Sequence, residues 1–206
     1  MIEAKDLEVL LDQYVEASKS QSPVEAARCF IEGVMEPVLR EQRKADWVEM
    51  TPSNAMWGGW LQEAFPDMAL VHVVRDGRDV AVSVTKTWKH LEVPEALEWW
   101  QRRIEHIAIE CEKMAPGSLH TVSLERLARD DRDRSYQELL EFLNVEDAPQ
   151  MRDFFQTRLI PERSNIERWK RDLEPAAQEQ LAQQYDEILG TLRKKGIEWC
   201  KLIDQT

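Results

Sequence analysis

The sequence predicts an α/β fold in which a small parallel sheet is flanked by many helices. The main observation is the apolar run at 69–74, which turn residues bound on both sides, as in an interior strand of a parallel sheet. A second such run, at 118–123, follows the Pro116-Gly117 break. A short strand expected at 46–50 precedes these two runs, and segments with helical periodicity separate all three. The order strand, helix, strand, helix, strand predicts right-handed crossovers and a parallel sheet.

The remaining elements follow in chain order. Apolar residues at helical spacing predict helices over 7–15 and 27–38, and Ser22-Pro23 suits the start of the second helix. A short strand is expected at 46–50, followed by a polar turn at 51–54 and a helix that continues to Phe65. Further helices are predicted over the following residues: 77–87, 97–111, 136–143 and 181–192.

This pattern predicts a single domain over residues 1–206. Residues 1–44 form a helical amino-terminal segment, residues 45–130 form the core with the parallel sheet, and residues 131–206 form a helical carboxyl-terminal part. No linker or low-complexity tract divides the chain.

The charged turn at 75–83 is the most informative part of the chain, because the carboxyl ends of strands are where open α/β sheets bind ligands. Asp76 can cap the following helix, with Asp79 in the acidic position of a capping box. Ser83 returns to the same helix face two turns later. An arginine fork and a serine hydroxyl suit phosphate oxygens, so we expect Arg75 and Ser83 to hold one anion. The alternative is a surface ion pair between Arg75 and Asp79.

Composition excludes several functional classes. The net charge of −12 argues against nonspecific binding to nucleic acid, which needs many cations. The three cysteines lie far apart, which favours reduced thiols over a disulfide framework, and the four histidines lack the spacing of a metal site. Because no segment has the character of a membrane span or a secretory leader, we expect a cytoplasmic protein.

The order of Glu49, the 51–54 turn, Phe65-Pro66-Asp67 and the 75–83 turn resembles the sulfotransferase family that uses 3′-phosphoadenosine 5′-phosphosulfate (PAPS), in its bacterial branch. The resemblance covers roughly residues 45–200 and implies a three-layer fold like that of P-loop NTPases. It implies transfer of a sulfuryl group to a hydroxyl or amine acceptor, without a metal, leaving 3′,5′-adenosine bisphosphate. By position, Arg75 and Ser83 correspond to the family residues that hold the 3′-phosphate, and we include Arg78 in the same site.

Other candidate residues come from the same resemblance. Residues 163–173 resemble the carboxyl-terminal loop of the family, whose basic residues approach the nucleotide, so Arg168 and Lys170 are candidates for cofactor binding. The alternative is a solvated basic run at the surface. Glu49 is the candidate general base, because family members use a glutamate or a histidine from this region. Its alternative role is to cap the turn that follows it.

One family feature has no counterpart here. The phosphate loop of the form Pro-Lys-Ser-Gly-Thr-Thr, which follows the first strand of the family, is not found upstream of residue 46. Three interpretations stay open: the sequence is part of a longer sulfotransferase, it is a non-catalytic relative that keeps a 3′-phosphate pocket, or a partner chain supplies the loop. A missing first strand would expose a sheet edge through which a homodimer could form. A kinase is the competing enzyme class, but its Gly-x-x-x-x-Gly-Lys-Ser/Thr motif is absent from the sequence.

Overall fold

The structure is a computed structural model and describes residues 3–203. It is 68% helical with one small parallel sheet of two strands, which confirms the α/β class. The contacts divide the chain into two compact units, Met1–Met68 and Ala69–Thr206. The boundary falls inside the 45–130 segment that was expected to form one core.

The first unit consists of helices. Two of them, α1 (Ala4–Ala17) and α2 (Pro23–Gln42), pack on each other, as the periodicity predicted. Ser22 and Glu25 form a reciprocal capping box at the start of α2. A 3₁₀ turn (Asn54–Trp57) and a short helix α3 (Gly58–Ala64) follow the 51–54 turn.

The strand expected at 46–50 is wrong, because this stretch is irregular. Val48 and Met50 are 94% and 90% exposed, so their apolar side chains are not packed against a core. A strand also needs a neighbouring strand for its backbone hydrogen bonds. In residues 3–203, the one strand pair is formed elsewhere, between residues of the second unit.

The second unit contains the sheet. Strands β1 (Leu70–Val74) and β2 (Leu119–Ser123) pair in parallel, with Val74 opposite Ser123, which confirms both predicted strands. The connection consists of helices α4 (Gly77–Thr87) and α5 (Val93–Cys111), which pack closely against each other.

The rest of the second unit is helical. A π-helical turn (Arg126–Asp130) precedes the following helices: α6 (Arg132–Leu143), α7 (Pro149–Thr157), α8 (Pro161–Ser164), α9 (Arg168–Asp172) and α10 (Pro175–Lys194). A 3₁₀ turn (Glu198–Leu202) follows α10. The predicted helices at 136–143 and 181–192 are confirmed. The main apolar core joins α4, α5, α9 and α10, with Leu97, Trp100 and Tyr185 near its centre.

Candidate functional site

The site is built on the turn that follows β1. Because the strands are parallel, the carboxyl ends of β1 and β2 meet at one edge of the sheet. There the backbone N–H of Asp76 donates to Glu125 Oε1 (3.0 Å), and the Ser123 hydroxyl donates to Glu125 Oε2 (2.8 Å). Glu125 is fully buried, and burial raises the pKa of its carboxyl group. Glu125 thus anchors the turn to β2.

Asp76 caps α4, as predicted, by accepting a hydrogen bond from the backbone N–H of Arg78 (2.8 Å). Its carboxylate also accepts from the Arg78 guanidinium, with Nη2 at 2.5 Å. That guanidinium lies between the rings of Trp169 (4.3 Å) and Tyr185 (4.6 Å). Although burial lowers the pKa of Arg78, the hydrogen bonds that its guanidinium donates to the Asp76 carboxylate raise it overall. Arg78 thus faces the interior of the unit and stabilises the start of α4.

The role predicted for Asp79 in a capping box is wrong. Its fully buried carboxylate accepts from Arg75 Nη2 (3.2 Å) through Oδ2 and from the backbone N–H of Trp169 (2.9 Å) through Oδ1. Burial raises the pKa of Asp79 despite these two donors, which lower it. The side chains of Arg75 and Asp79 are 20% and 1% exposed, so their ion pair is not the surface pair considered as the alternative.

Arg75 keeps donor capacity for a ligand. Besides Asp79, its Nη2 donates to the backbone carbonyl of Asn165 (2.5 Å). Its Nε is buried and has no hydrogen-bond partner in residues 3–203. The Ser83 hydroxyl, one helical turn beyond Asp79, also lacks a hydrogen bond to any described residue. A phosphate oxygen, which only accepts hydrogen bonds, fits such a pair of donors.

The 165–172 segment contacts Arg75, which precedes α4, and the α4 residues Asp79 and Lys86. In addition to the Asn165 and Trp169 contacts, Lys86 Nζ pairs with Asp172 Oδ2 at 2.5 Å. These contacts hold the 165–172 segment next to the Arg75 turn. These contacts were not foreseen residue by residue, because two of them use backbone groups, which any residue type can supply.

The two basic candidates in this segment are paired with carboxylates. Arg168 Nε donates to Asp172 Oδ2 (2.9 Å), and Lys170 Nζ donates to Glu167 Oε1 (2.7 Å). Hydrogen bonds from Lys86 and Arg168 lower the pKa of Asp172 to about 2. Asp172 therefore stays ionised near neutral pH and binds both Lys86 and Arg168.

Glu49 belongs to the first unit. Its carboxylate accepts from the backbone N–H of Thr51 (3.0 Å) and from the side chains of Thr51 and Asn54. The hydrogen bond from the Thr51 side chain is the main reason why the pKa of this exposed carboxyl group is lowered. These contacts agree with the alternative role, in which Glu49 caps the turn.

A shallow groove of about 350 Å³ lies between α1 and α2 and contains none of the predicted site residues. Among residues 3–203, no cluster of three or more histidine, cysteine, aspartate or glutamate side chains is arranged to hold a metal ion. The described helices include none with the length and apolar character needed to cross a membrane.

Comparison with known proteins gives one match. A model of the sulfotransferase family matches residues 3–149, well over half of the 206 residues. No curated protein and no solved structure gives a significant match. The matched region includes β1, the Arg75 turn, α4 and β2, and ends before the 165–172 segment. The chain therefore belongs to the sulfotransferase family.

Proposed function

We propose that the chain binds PAPS, with the 3′-phosphate held by Arg75 and Ser83, and transfers the sulfuryl group to a hydroxyl or amine acceptor. The observation that carries this proposal is the buried Nε of Arg75, a charged donor without a partner in the described part of the chain. A buried donor of this kind is costly unless a ligand satisfies it. Family membership supports the choice of a sulfuryl donor.

The residues present fit a phosphate group. Arg75 is fixed through Nη2, so its planar guanidinium offers the Nε edge in a defined direction. Ser83 adds a neutral donor on the same helix face. Arg168 and Lys170 are proposed to add positive charge around the nucleotide. Arg168 forms an ion pair with Asp172, and Lys170 forms one with Glu167. Arg78 is proposed to act in the same site by fixing Asp76 and the turn.

When PAPS is bound, it supplies the activated sulfuryl group and a phosphate leaving group. The protein must then accept the proton of the attacking hydroxyl or amine. We propose Glu49 for this role, because members of the sulfotransferase family use a glutamate or a histidine from this region as the base.

A second function is a nucleotide-binding relative without catalytic activity. It is favoured by the three hydrogen bonds that Glu49 accepts within its own turn, because a carboxylate stabilised in this way is a weaker base.

Isothermal titration calorimetry with 3',5'-adenosine bisphosphate tests the site. We expect the wild type to bind and Arg75→Ala to bind about 100-fold more weakly, whereas Arg102→Ala, which removes a 67% exposed arginine of α5, should bind as wild type does. Equal affinity in Arg75→Ala would rule out the pocket. Transfer of radiolabelled sulfate from PAPS to a panel of alcohols and amines then separates the two functions, because the second predicts binding without transfer.

We also propose a cellular location and an oligomeric state for the protein. We propose a cytoplasmic location, because the three cysteines lie far apart in the sequence, as is typical of reduced thiols. Among residues 3–203, β1 and β2 pair only with each other, so each strand has an edge without a strand partner. An unpaired edge supports the proposed homodimer, which sedimentation analysis would test.

A further inference from the structure

We infer that Asp79 is a positioning residue, which sets the orientation of Arg75 toward the nucleotide and couples it to the 165–172 segment. The inference rests on the proposed role of Arg75 in binding the 3′-phosphate. It assigns Asp79 no direct contact with the ligand. The carboxylate acts through the two groups that it binds, one on each oxygen.

The first group is the Arg75 guanidinium. A free arginine side chain has many rotamers, and fixing it on ligand binding costs conformational entropy. Here Asp79 Oδ2 and the Asn165 carbonyl both accept from Nη2, at 3.2 and 2.5 Å, before any ligand binds. The guanidinium is thereby held in one orientation, and its buried Nε has no hydrogen-bond partner among the described residues. Asp79 thus lowers the entropic cost of binding an anion at Arg75.

The second group is the backbone N–H of Trp169, which binds Asp79 Oδ1. One buried carboxylate therefore holds Arg75 and the 165–172 segment at once. The Lys86 and Asp172 ion pair attaches the same segment farther along α4, beyond Ser83. Because the family match ends at residue 149, this coupling extends the binding site to residues outside the matched region.

The alternative is that Asp79 only neutralises a buried arginine and contributes to stability. A purely stabilising residue changes the folded fraction but leaves the affinity of the folded protein unchanged. A residue that acts through Arg75 changes that affinity, and its effect vanishes once Arg75 is removed.

A double-mutant cycle distinguishes these roles. The affinity for 3',5'-adenosine bisphosphate is measured for the wild type, Asp79→Asn, Arg75→Ala and the double variant, each shown by thermal melting to be folded. We expect Asp79→Asn to weaken binding about tenfold, and the double variant to bind no more weakly than Arg75→Ala. Asp153→Asn, which changes an exposed aspartate of α7, serves as the control.

The failures of the two proposals can be told apart. If Arg75→Ala binds as the wild type does, the proposed nucleotide site is wrong. If Arg75→Ala weakens binding while Asp79→Asn keeps full affinity, or if the two effects add, only the positioning role is overturned.

A second measurement needs no variant at Asp79. Hydrogen exchange of the Trp169 amide is followed in the wild-type protein with and without saturating 3',5'-adenosine bisphosphate. We expect slower exchange in the bound state, since ligand binding fixes the Arg75 and Asp79 pair that accepts this amide. Unchanged exchange would overturn the coupling even if Asp79→Asn fails to fold.

Discussion

The backbone N–H of Asp76 donates to the buried carboxylate of Glu125 at 3.0 Å, joining the residues that follow two parallel strands. This hydrogen bond fixes the turn that contains Arg75 and leads into α4. The Ser123 hydroxyl occupies the other oxygen of Glu125, so neither oxygen lacks a donor.

Glu125→Ala is expected to lower the free energy of unfolding by about 2–4 kcal/mol, because it leaves the Asp76 N–H and the Ser123 hydroxyl without their acceptor in a buried position. Urea unfolding followed by tryptophan fluorescence measures the change. The matched control is Glu198→Ala, whose side chain is 74% exposed and pairs with Lys201. A change for Glu125→Ala as small as that of the control would contradict the anchoring role.

Gly77 starts α4 directly against Trp100, and a Cβ at this position would lie 2.7 Å from the indole ring. Gly77→Ala should therefore destabilise the protein by about 1–3 kcal/mol through overpacking. Gly190→Ala in α10 has no atom within 4 Å of the added Cβ, and it should stabilise the protein by up to about 1 kcal/mol. Unfolding of both variants under the same conditions should give changes of opposite sign.

His72 makes stability depend on pH. It is 6% exposed on β1, its Nδ1 has no hydrogen-bond partner in the described part of the chain, and burial lowers its pKa from 6.5 to about 4. A lowered histidine pKa means that the unfolded chain binds the proton more tightly. Stability is therefore unaffected above pH 6.5 and is lost as the pH falls toward about 4, by up to about 3 kcal/mol.

His72→Phe tests this dependence, because phenylalanine keeps an aromatic ring against Trp199, whose ring centre lies 4.7 Å from that of His72. The free energy of unfolding of both proteins is measured at neutral pH and near pH 4. We expect the variant to gain stability relative to the wild type as the pH falls. A constant difference between the two proteins would show that His72 does not carry the effect.

Glu49→Gln tests the proposed base. The substitution keeps an oxygen that accepts from Thr51 but cannot take up the acceptor's proton, so we expect sulfate transfer to fall by about 100-fold or more. Binding of 3',5'-adenosine bisphosphate should not change, since Glu49 has no proposed role in binding the nucleotide. Glu63→Gln, at an exposed position of α3, provides the control. Full turnover in Glu49→Gln would leave Glu49 only its role in capping the turn.

Local sequence rules were sufficient for much of the fold. The bounds of α4 match the predicted 77–87, and the capping box of Ser22 and Glu25 begins α2 where the Ser22-Pro23 signal placed it. The prediction of a strand at 46–50 was wrong for a physical reason. Alternating or apolar residues form a strand only when another strand supplies backbone partners, and a local pattern carries no information on that partner.

The sequence by itself determined the longer helices, the two paired strands and the family, because periodicity, caps and the Arg75 turn are local features of the chain. Only the tertiary structure decided how the charged groups pair. Asp79 has the spacing of a capping residue, yet its carboxylate binds Arg75 and the amide of Trp169, which lies 90 residues away. A buried carboxylate accepts hydrogen bonds from the donors that the folded chain places next to it. Almost any residue type can supply a backbone N–H donor, so the sequence does not reveal which residue provides it.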